Sequence, residues 1–330
     1  MNKQIYNTIA SSTNLSRKQI ETVAGFIDEG ATIPFLARYR QEATGGLDEE
    51  QLRSVRDSIE MHRTLENRKR TVLKAIDEQD KLTDELQKKI ESCSDLKTLE
   101  DLYLPYKKKK KTKGDMAKEK GLEPLAKMIW NQNKVKGNPL DYAKEYVDEE
   151  KELPDAETAL QASLDIVAEW INESVDVRDT LRSILRKHGI ITSEKNPAIK
   201  KRTNFEDYYE FRTRVQYLKP HQTLALNRGE RENILFVNIE VNTEITLENI
   251  DDVVITNELS IFTPYLQDAV EDAFKRLLFP SLERELRNEL TEAADAHAIE
   301  TFATNLKNLL MQPPLKDQVV MGIDPAYRTG

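Results

Sequence analysis

Residues 48–79 read DEEQLRSVRDSIEMHRTLENRKRTVLKAIDEQ, with no Gly or Pro to interrupt them. Leu52, Val55, Ile59, Leu65, Val72 and Ile76 recur at spacings that keep to one face of a helix. Asp48 sits one residue ahead of the run, where a side-chain oxygen can take the helix-start N–H groups. Thirty-odd residues at 1.5 Å each predict a rod of roughly 45 Å. A single amphipathic helix of that length sets the expectation of a mainly α fold.

The flanks carry the same punctuation. Upstream, Ser16 and Gln19 form a capping box, and Ile20, Val23, Ala24 and Ile27 line one face. Gly30 suits a helix stop, Pro34 a new start, and Gly45-Gly46 a break. Residues 1–80 therefore read as an N-terminal region of short helices with tight turns leading into the long helix. Downstream, Thr83 and Ser94 are N-cap candidates, and Leu96, Leu99 and Leu102 line the next helix up to Pro105. Further helices are expected at 122–131, 139–150, 155–172 and 176–188, making residues 81–192 a helical domain. Asn196-Pro197 marks a boundary.

Past that boundary the period changes. Residues 221–226 and 234–241, the second reading ILFVNIEV, are expected to form a small β-hairpin, and DVVIT at 252–256 a short strand. From Pro264 the helical period returns, with Leu282, Leu286, Leu290 and Ala294 at four-residue spacing and Phe302, Leu306 and Leu309 beyond. Pro280 should kink or split this segment, and Pro313-Pro314 should end it. Residues 193–318 thus form a central region with a hairpin and a long C-terminal helix. The whole reads as mainly α, a multi-helical and elongated assembly.

Composition agrees. Only 11 of 330 residues are Gly, and no Gly-rich phosphate loop is present. Charged residues make up 32% against roughly 25% in an average protein, which favours exposed helices. Cys93 is the only cysteine, and His62, His188, His221 and His297 lack metal-ligand spacing. No metal, no cofactor and no catalytic residue is expected. Neither a signal peptide nor an apolar run of about 20 residues is visible, so the expectation is a cytoplasmic protein with no membrane contact.

The net charge of −9 is uneven. Residues 105–136 hold 11 basic and 3 acidic residues, an island of +8 in a remainder of −17. With a Debye length of about 8 Å, distant acids do not cancel it. At its centre stand Lys107, Lys108, Lys109, Lys110, Lys111 and Lys113, suited to phosphate-backbone contact without base reading. Tyr103 and Tyr106 flank the run and could stack on a base. The plain alternative is a solvated loop. Arg178, Arg182 and Arg186 stand at four-residue spacing opposite Leu181, Ile184 and Leu185. They form either a second backbone-contacting surface or the wet face of an amphipathic helix. Arg38 and Arg40 follow an apolar turn. They either face nucleic acid from a recognition helix or pair with Glu42, Asp48 or Glu49.

Three motifs carry a family resemblance: EGATIPFLARYRQEATGGLDEEQLR at 29–53, LEDLYLPYKKKKKTKGDMAKEKGLEPLA at 99–126 and MGIDPAYRTG at 321–330. In this order they resemble the bacterial Tex proteins, RNA-binding transcription accessory factors. The resemblance implies a helix-turn-helix-like region over residues 1–80, a central region with a long helix, and an RNase H-like domain beginning at residues 319–330. Helix-hairpin-helix and OB-fold RNA-binding domains would follow. Two departures stand out. The family's basic loop often reads P-Y-K-P-K-R-R-T; here lysines replace arginines and Lys108 stands in place of Pro. Lysine binds phosphate as a point charge, without the bidentate fork of arginine. Ala326 replaces a common Gly. Asp324 resembles the first-strand carboxylate of RNase H-like enzymes, but one carboxylate does not build a two-metal site. The resemblance implies RNA, and by the same backbone chemistry DNA, as the partner of a non-enzymatic helical scaffold. The alternative is a helical module docking on proteins of the transcription machinery.

Overall fold

The computed structural model describes residues 3–13, 15–107, 111–313, 316 and 318–323. The chain divides into two compact units, one of residues 1–112 with 173–175, the other of residues 113–172 with 176–330. The division falls between Thr112 and Lys113, inside the basic loop.

The first unit is helical. In order come α1 (Lys3–Thr13), α2 (Arg17–Asp28), α3 (Ile33–Tyr39), α4 (Gln41–Thr44), α5 (Glu49–Asp77), α6 (Asp84–Ser92) and α7 (Leu96–Tyr103). Local chemistry sets the boundaries. Ser16 and Gln19 close a capping box on α2, and Asp48 and Gln51 close one on α5. Gly30 adopts φ of 83° after α2, and the Ala31 N–H reaches back to the Phe26 carbonyl at 2.9 Å. Thr83 caps α6, whereas α7 is capped by Asp95 rather than Ser94.

The 29-residue α5 serves two cores. Its first half gives Leu52, Val55 and Ile59 to a cluster with Ile9, Ile20, Val23, Ile33 and Leu36. Its second half gives Leu65, Val72 and Ile76 to a cluster with Ile90, Cys93 and Leu99.

The second unit holds α8 (Lys113–Glu119), α9 (Glu123–Asn131), α10 (Pro139–Ala143), α11 (Ala156–Glu173), α12 (Val175–His188), β1 (Ile190–Lys195), β2 (Glu210–Arg214), α13 (Pro220–Arg231), β3 (Leu235–Glu240), α14 (Thr243–Val254), α15 (Thr263–Ala273) and α16 (Phe279–Leu310). Only five residues of the expected 139–150 helix form α10; two 3-10 turns follow it.

The expected hairpin does not form. Residues 221–226 lie in α13, which starts at Pro220 and places Thr223, Leu226 and Gly229 on its buried face. Helix wins because Pro pre-sets the first helical φ and HQTLALNRGER has no two-residue alternation. The strand at 235–240 is real, but it pairs antiparallel with β1, from Ile190 against Glu240 to Lys195 against Leu235. β2 pairs along the other side of β1, giving the order β2-β1-β3. Gly229 lets α13 lie on this sheet: a Cβ there would stand 2.5 Å from Leu235 Cδ1. DVVIT is helical through Val254, because Ile250 and Val254 point into the core at four-residue spacing. Asn196 lies within the second unit, its N–H donating to the Ile234 carbonyl at 2.8 Å.

The break from regular α winding falls just before Pro280 rather than at it. A π turn at Phe274–Leu278 joins α15 to α16, and Pro280 falls in the first turn of α16. The core positions explain that turn. Leu266, Val270, Phe274, Leu278, Leu282 and Leu286 are all buried, each four residues from the last. On an α-helix each such step drifts about 40°, so five steps would carry the stripe about 200° around the rod. One extra residue in a π turn removes about 100° of that drift, keeping all six side chains on a single broad face.

The first half of α16 is tied to its neighbours. Arg287 forks onto Glu230 of α13, Asn227 bonds Thr291 at 2.8 Å, and Glu283 accepts the Ile239 N–H of β3 at 3.1 Å. Beyond Ala294 the helix has no buried residue. Ile299, Phe302, Leu306 and Leu309 form an apolar stripe there, with Ile299 69% and Phe302 68% exposed. Among the described residues no helix is long and apolar enough to cross a membrane.

Candidate nucleic-acid interface

The basic loop leaves the first unit through a 3-10 turn at Leu104–Tyr106. Gln79 at the end of α5 holds this turn, donating from Nε2 to the Tyr106 carbonyl at 3.0 Å. Lys107 is exposed directly after it. Lys108, Lys109 and Lys110 lie outside the described residues. Lys111 is exposed, and Lys113 is exposed at the first position of α8.

The far end of the loop is fastened by a buried carboxylate. Glu169 of α11 accepts the Gly114 N–H at 3.1 Å and pairs with Lys118 at 3.4 Å. A carboxylate beside the first turn of a helix meets unsatisfied N–H groups and the positive end of the helix dipole. Gly114 makes room for this contact: a Cβ there would lie 2.3 Å from Glu169 Cδ and would push the carboxylate aside. Tyr106 is thus held within the first unit and Gly114 within the second.

The flanking tyrosines are not free platforms. Tyr103 and Tyr106 are half-buried against the Leu65–Val72–Ile76 cluster. The Arg68 guanidinium covers Tyr103 at 5.4 Å and pairs with Glu100.

Arg178 and Arg182 form neither a wet face nor an open phosphate surface, whereas Arg186 is exposed. Arg178 is 5% and Arg182 9% exposed. Arg182 grips Glu285 with Nε at 2.7 Å and Nη2 at 3.1 Å, and Asp179 at 2.9 Å. Arg178 approaches the same Glu285 at 3.6 Å, and Arg186 pairs with Glu289 at 2.9 Å. The polar stripe of α12 faces an acidic stripe of α16 at matching four-residue spacing. Burial then makes the Arg178 and Arg182 pairs with Glu285 structural, because a phosphate would have to displace a carboxylate already in place.

Arg38 and Arg40, at the end of α3, are exposed. Among the described residues neither pairs with Glu42, Asp48 or Glu49; Glu49 pairs with Arg53 instead. The Arg40 guanidinium lies 5.8 Å from the Phe26 ring centroid and 5.9 Å from that of Phe35. Phe35 and Tyr39 stand beside it with ring centroids 5.5 Å apart. Sequence reading passed over these two aromatics, although they fall out of step with the buried pair Ile33 and Leu36.

Asp324 and the rest of 324–330 lie outside the described residues. Among those described, no group of three or more His, Cys, Asp or Glu could hold a metal ion.

Comparison with known proteins follows this architecture. Residues 3–77 match the family described as Tex-like protein N-terminal domain, and residues 134–302 match Tex central region-like. The basic loop falls between the two. The Bacillus subtilis (strain 168) protein YdcI is 41% identical over 98% of this chain and 45% of its own length. The transcriptional accessory protein Tex of Neisseria gonorrhoeae is 37% identical over 99% of this chain and 43% of its own. The human S1 RNA-binding domain-containing protein 1 is 29% identical over the full chain and 34% of its own. The chain spans less than half the length of the curated relatives it matches. With the central-region match alone covering half of its residues, and both matches falling on separately built helical cores, this chain belongs to the Tex family.

Proposed function

We propose that this chain is a non-catalytic helical scaffold of a Tex-type transcription accessory factor. It presents further domains, which carry the principal RNA affinity, and adds weak, sequence-independent contacts to RNA or DNA backbones through Lys107 to Lys111 and Lys113. The observation that carries the scaffold reading is the outer half of α16. Its first half is packed and ion-paired, while its second half projects Ile299, Phe302, Leu306 and Leu309 at alternating three- and four-residue spacing. That is the pattern a helix uses to fill a hydrophobic groove. Covering one such side chain is worth roughly 1.5–3 kcal/mol.

Amide exchange tests this reading. Residues 296–310 should exchange fast in the 330-residue chain and slowly in a longer chain carrying the family's further domains. Phe302→Glu should leave the stability of the 330-residue chain within about 0.5 kcal/mol but abolish that protection. Equal exchange in the two chains removes the scaffold assignment.

The lysine run supports the backbone-contact reading through its local charge. Engaging four to six phosphates gives a slope of log affinity on log salt of roughly −3 to −5. Replacing the six lysines by Ala should flatten that slope; undiminished binding removes the loop from the mechanism. Partners that survive nuclease treatment would favour a protein-docking module instead. Mg²⁺-dependent cleavage lost in Asp324→Ala would overturn the non-catalytic assignment.

A further inference from the structure

We propose that Phe35, Arg38, Tyr39 and Arg40 form a stacking site for unpaired nucleic acid. In this site a base lies on the open face of Tyr39, and the neighbouring phosphates meet the two guanidinium groups. The inference rests on the nucleic-acid reading above but places a second, chemically different contact on the first unit.

The core does not need these side chains. Helix α3 packs through Ile33 and Leu36, both nearly inaccessible. Phe35 and Tyr39 follow each other by one turn on the outer side, 42% and 71% exposed. An exposed tyrosine held against a neighbouring ring is a preformed apolar plane, with few rotamers left to lose on binding.

The arginines differ from the others of this unit. Arg17, Arg53, Arg56, Arg63 and Arg68 are each paired with a carboxylate, and Arg70 donates to Asn67. Arg38 and Arg40 have no ion pair among the described residues, and residues 30–41 contain no acidic side chain. Arg40 lies over Phe26 and Phe35, which orients its planar fork without consuming its charge. An open ring packed on Phe35, with the Arg40 guanidinium on that same Phe35 and exposed Arg38 adjacent to Tyr39 in sequence, is a combination suited to binding single strands without reading sequence. A duplex hides its base faces and would leave Tyr39 without a partner. An apolar protein surface would cover the rings but strand both charges.

The test is fluorescence anisotropy with a labelled oligo(U) single strand and a blunt duplex of equal length, at low salt. Tyr39→Leu should weaken single-strand binding about tenfold and leave the duplex nearly unchanged. Tyr39→Phe should bind like the parent. Arg38→Ala with Arg40→Ala should flatten the single-strand salt slope by about 1.4. Tyr39 is exposed, so unchanged melting curves confirm that the variants fold. If Tyr39→Leu binds like the parent while replacement of the loop lysines abolishes binding, the stacking site is refuted and the loop reading stands. If Tyr39→Leu weakens duplex and single strand alike, stacking is likewise refuted. If the parent binds neither oligonucleotide, both readings fall. Tyr39-dependent capture of a protein after nuclease treatment, with oligonucleotide affinity unaffected, reassigns the surface and overturns the proposal.

Discussion

Replacing Arg182 by Ala should cost stability and leave nucleic-acid affinity alone. Arg182 is 9% exposed and donates two hydrogen bonds to Glu285 and one to Asp179. Breaking a buried ion pair from one side costs about 3–5 kcal/mol, much of it from the charge left behind. Two features reduce that here. The Glu285 side chain keeps 25% exposure, and Arg178 remains 3.6 Å away. The expected loss is therefore about 2–3 kcal/mol. In a unit of this size that lowers the melting temperature by about 4–12 °C. Urea unfolding gives the free energy directly, and an unchanged m-value would confirm that the denatured state is not the cause. Arg186→Ala is the internal standard. Its side chain is 48% exposed against Glu289, so it should lose no more than about 1 kcal/mol. A double-mutant cycle of Arg182→Ala with Glu285→Ala should recover a coupling above about 1 kcal/mol. An Arg182→Ala variant as stable as Arg186→Ala would refute the structural reading of the stripe. So would a variant that is equally stable and binds RNA less well.

Gly114→Ala should destabilise by about 1–3 kcal/mol, because the Glu169 carboxylate must swing away and abandon the Gly114 N–H. Adding Glu169→Ala should cost less than the sum of the two, as calorimetry would show. Burial raises the Cys93 thiol above its usual range, with Asp95 adding to the rise and Lys69 opposing it. Reaction with a disulfide reagent at neutral pH should therefore be slow until urea unfolds the chain. Burial also raises the Asp251 carboxyl; Gln267 opposes the rise by hydrogen bonding and Asp252 adds to it. A carboxyl raised in the folded state favours folding below its unfolded value and ceases to do so as pH rises through its folded one. Asp251→Asn should thus compare best with the parent at pH 7 and lose its advantage as pH falls toward 4, measured by melting at each pH.

Much of the first unit was legible because its instructions are local. Ser16 with Gln19, Gly30, Gly45 and Asp48 each act within one turn, and each falls where its chemistry places it. The sheet was less legible. β1 and β2 read as polar because Glu194, Glu210, Arg212 and Arg214 all face solvent, leaving little apolar alternation. The role of Arg178 and Arg182 was invisible for a different reason. Their partner Glu285 is about a hundred residues downstream, and an arginine stripe looks the same whether water or a carboxylate faces it. Phe35 and Tyr39 could have been found, since an aromatic pair out of step with Ile33 and Leu36 does not belong to the core. Aromatics are usually read as core, and that habit hid them.

The π turn at Phe274–Leu278 has a consequence for everything attached beyond it. It acts as a phase setting between two lengths of one rod. Winding the same residues as ordinary α-helix, with none removed, would rotate α16 by about 100° relative to α15. Leu282 and Leu286 would leave their core, and the azimuth of the Ile299–Leu309 stripe would swing with them. Whatever seats on that stripe takes its bearing from one wide turn some twenty positions away, so the aim of the outer helix depends more on how this turn is wound than on the identity of any single side chain along it.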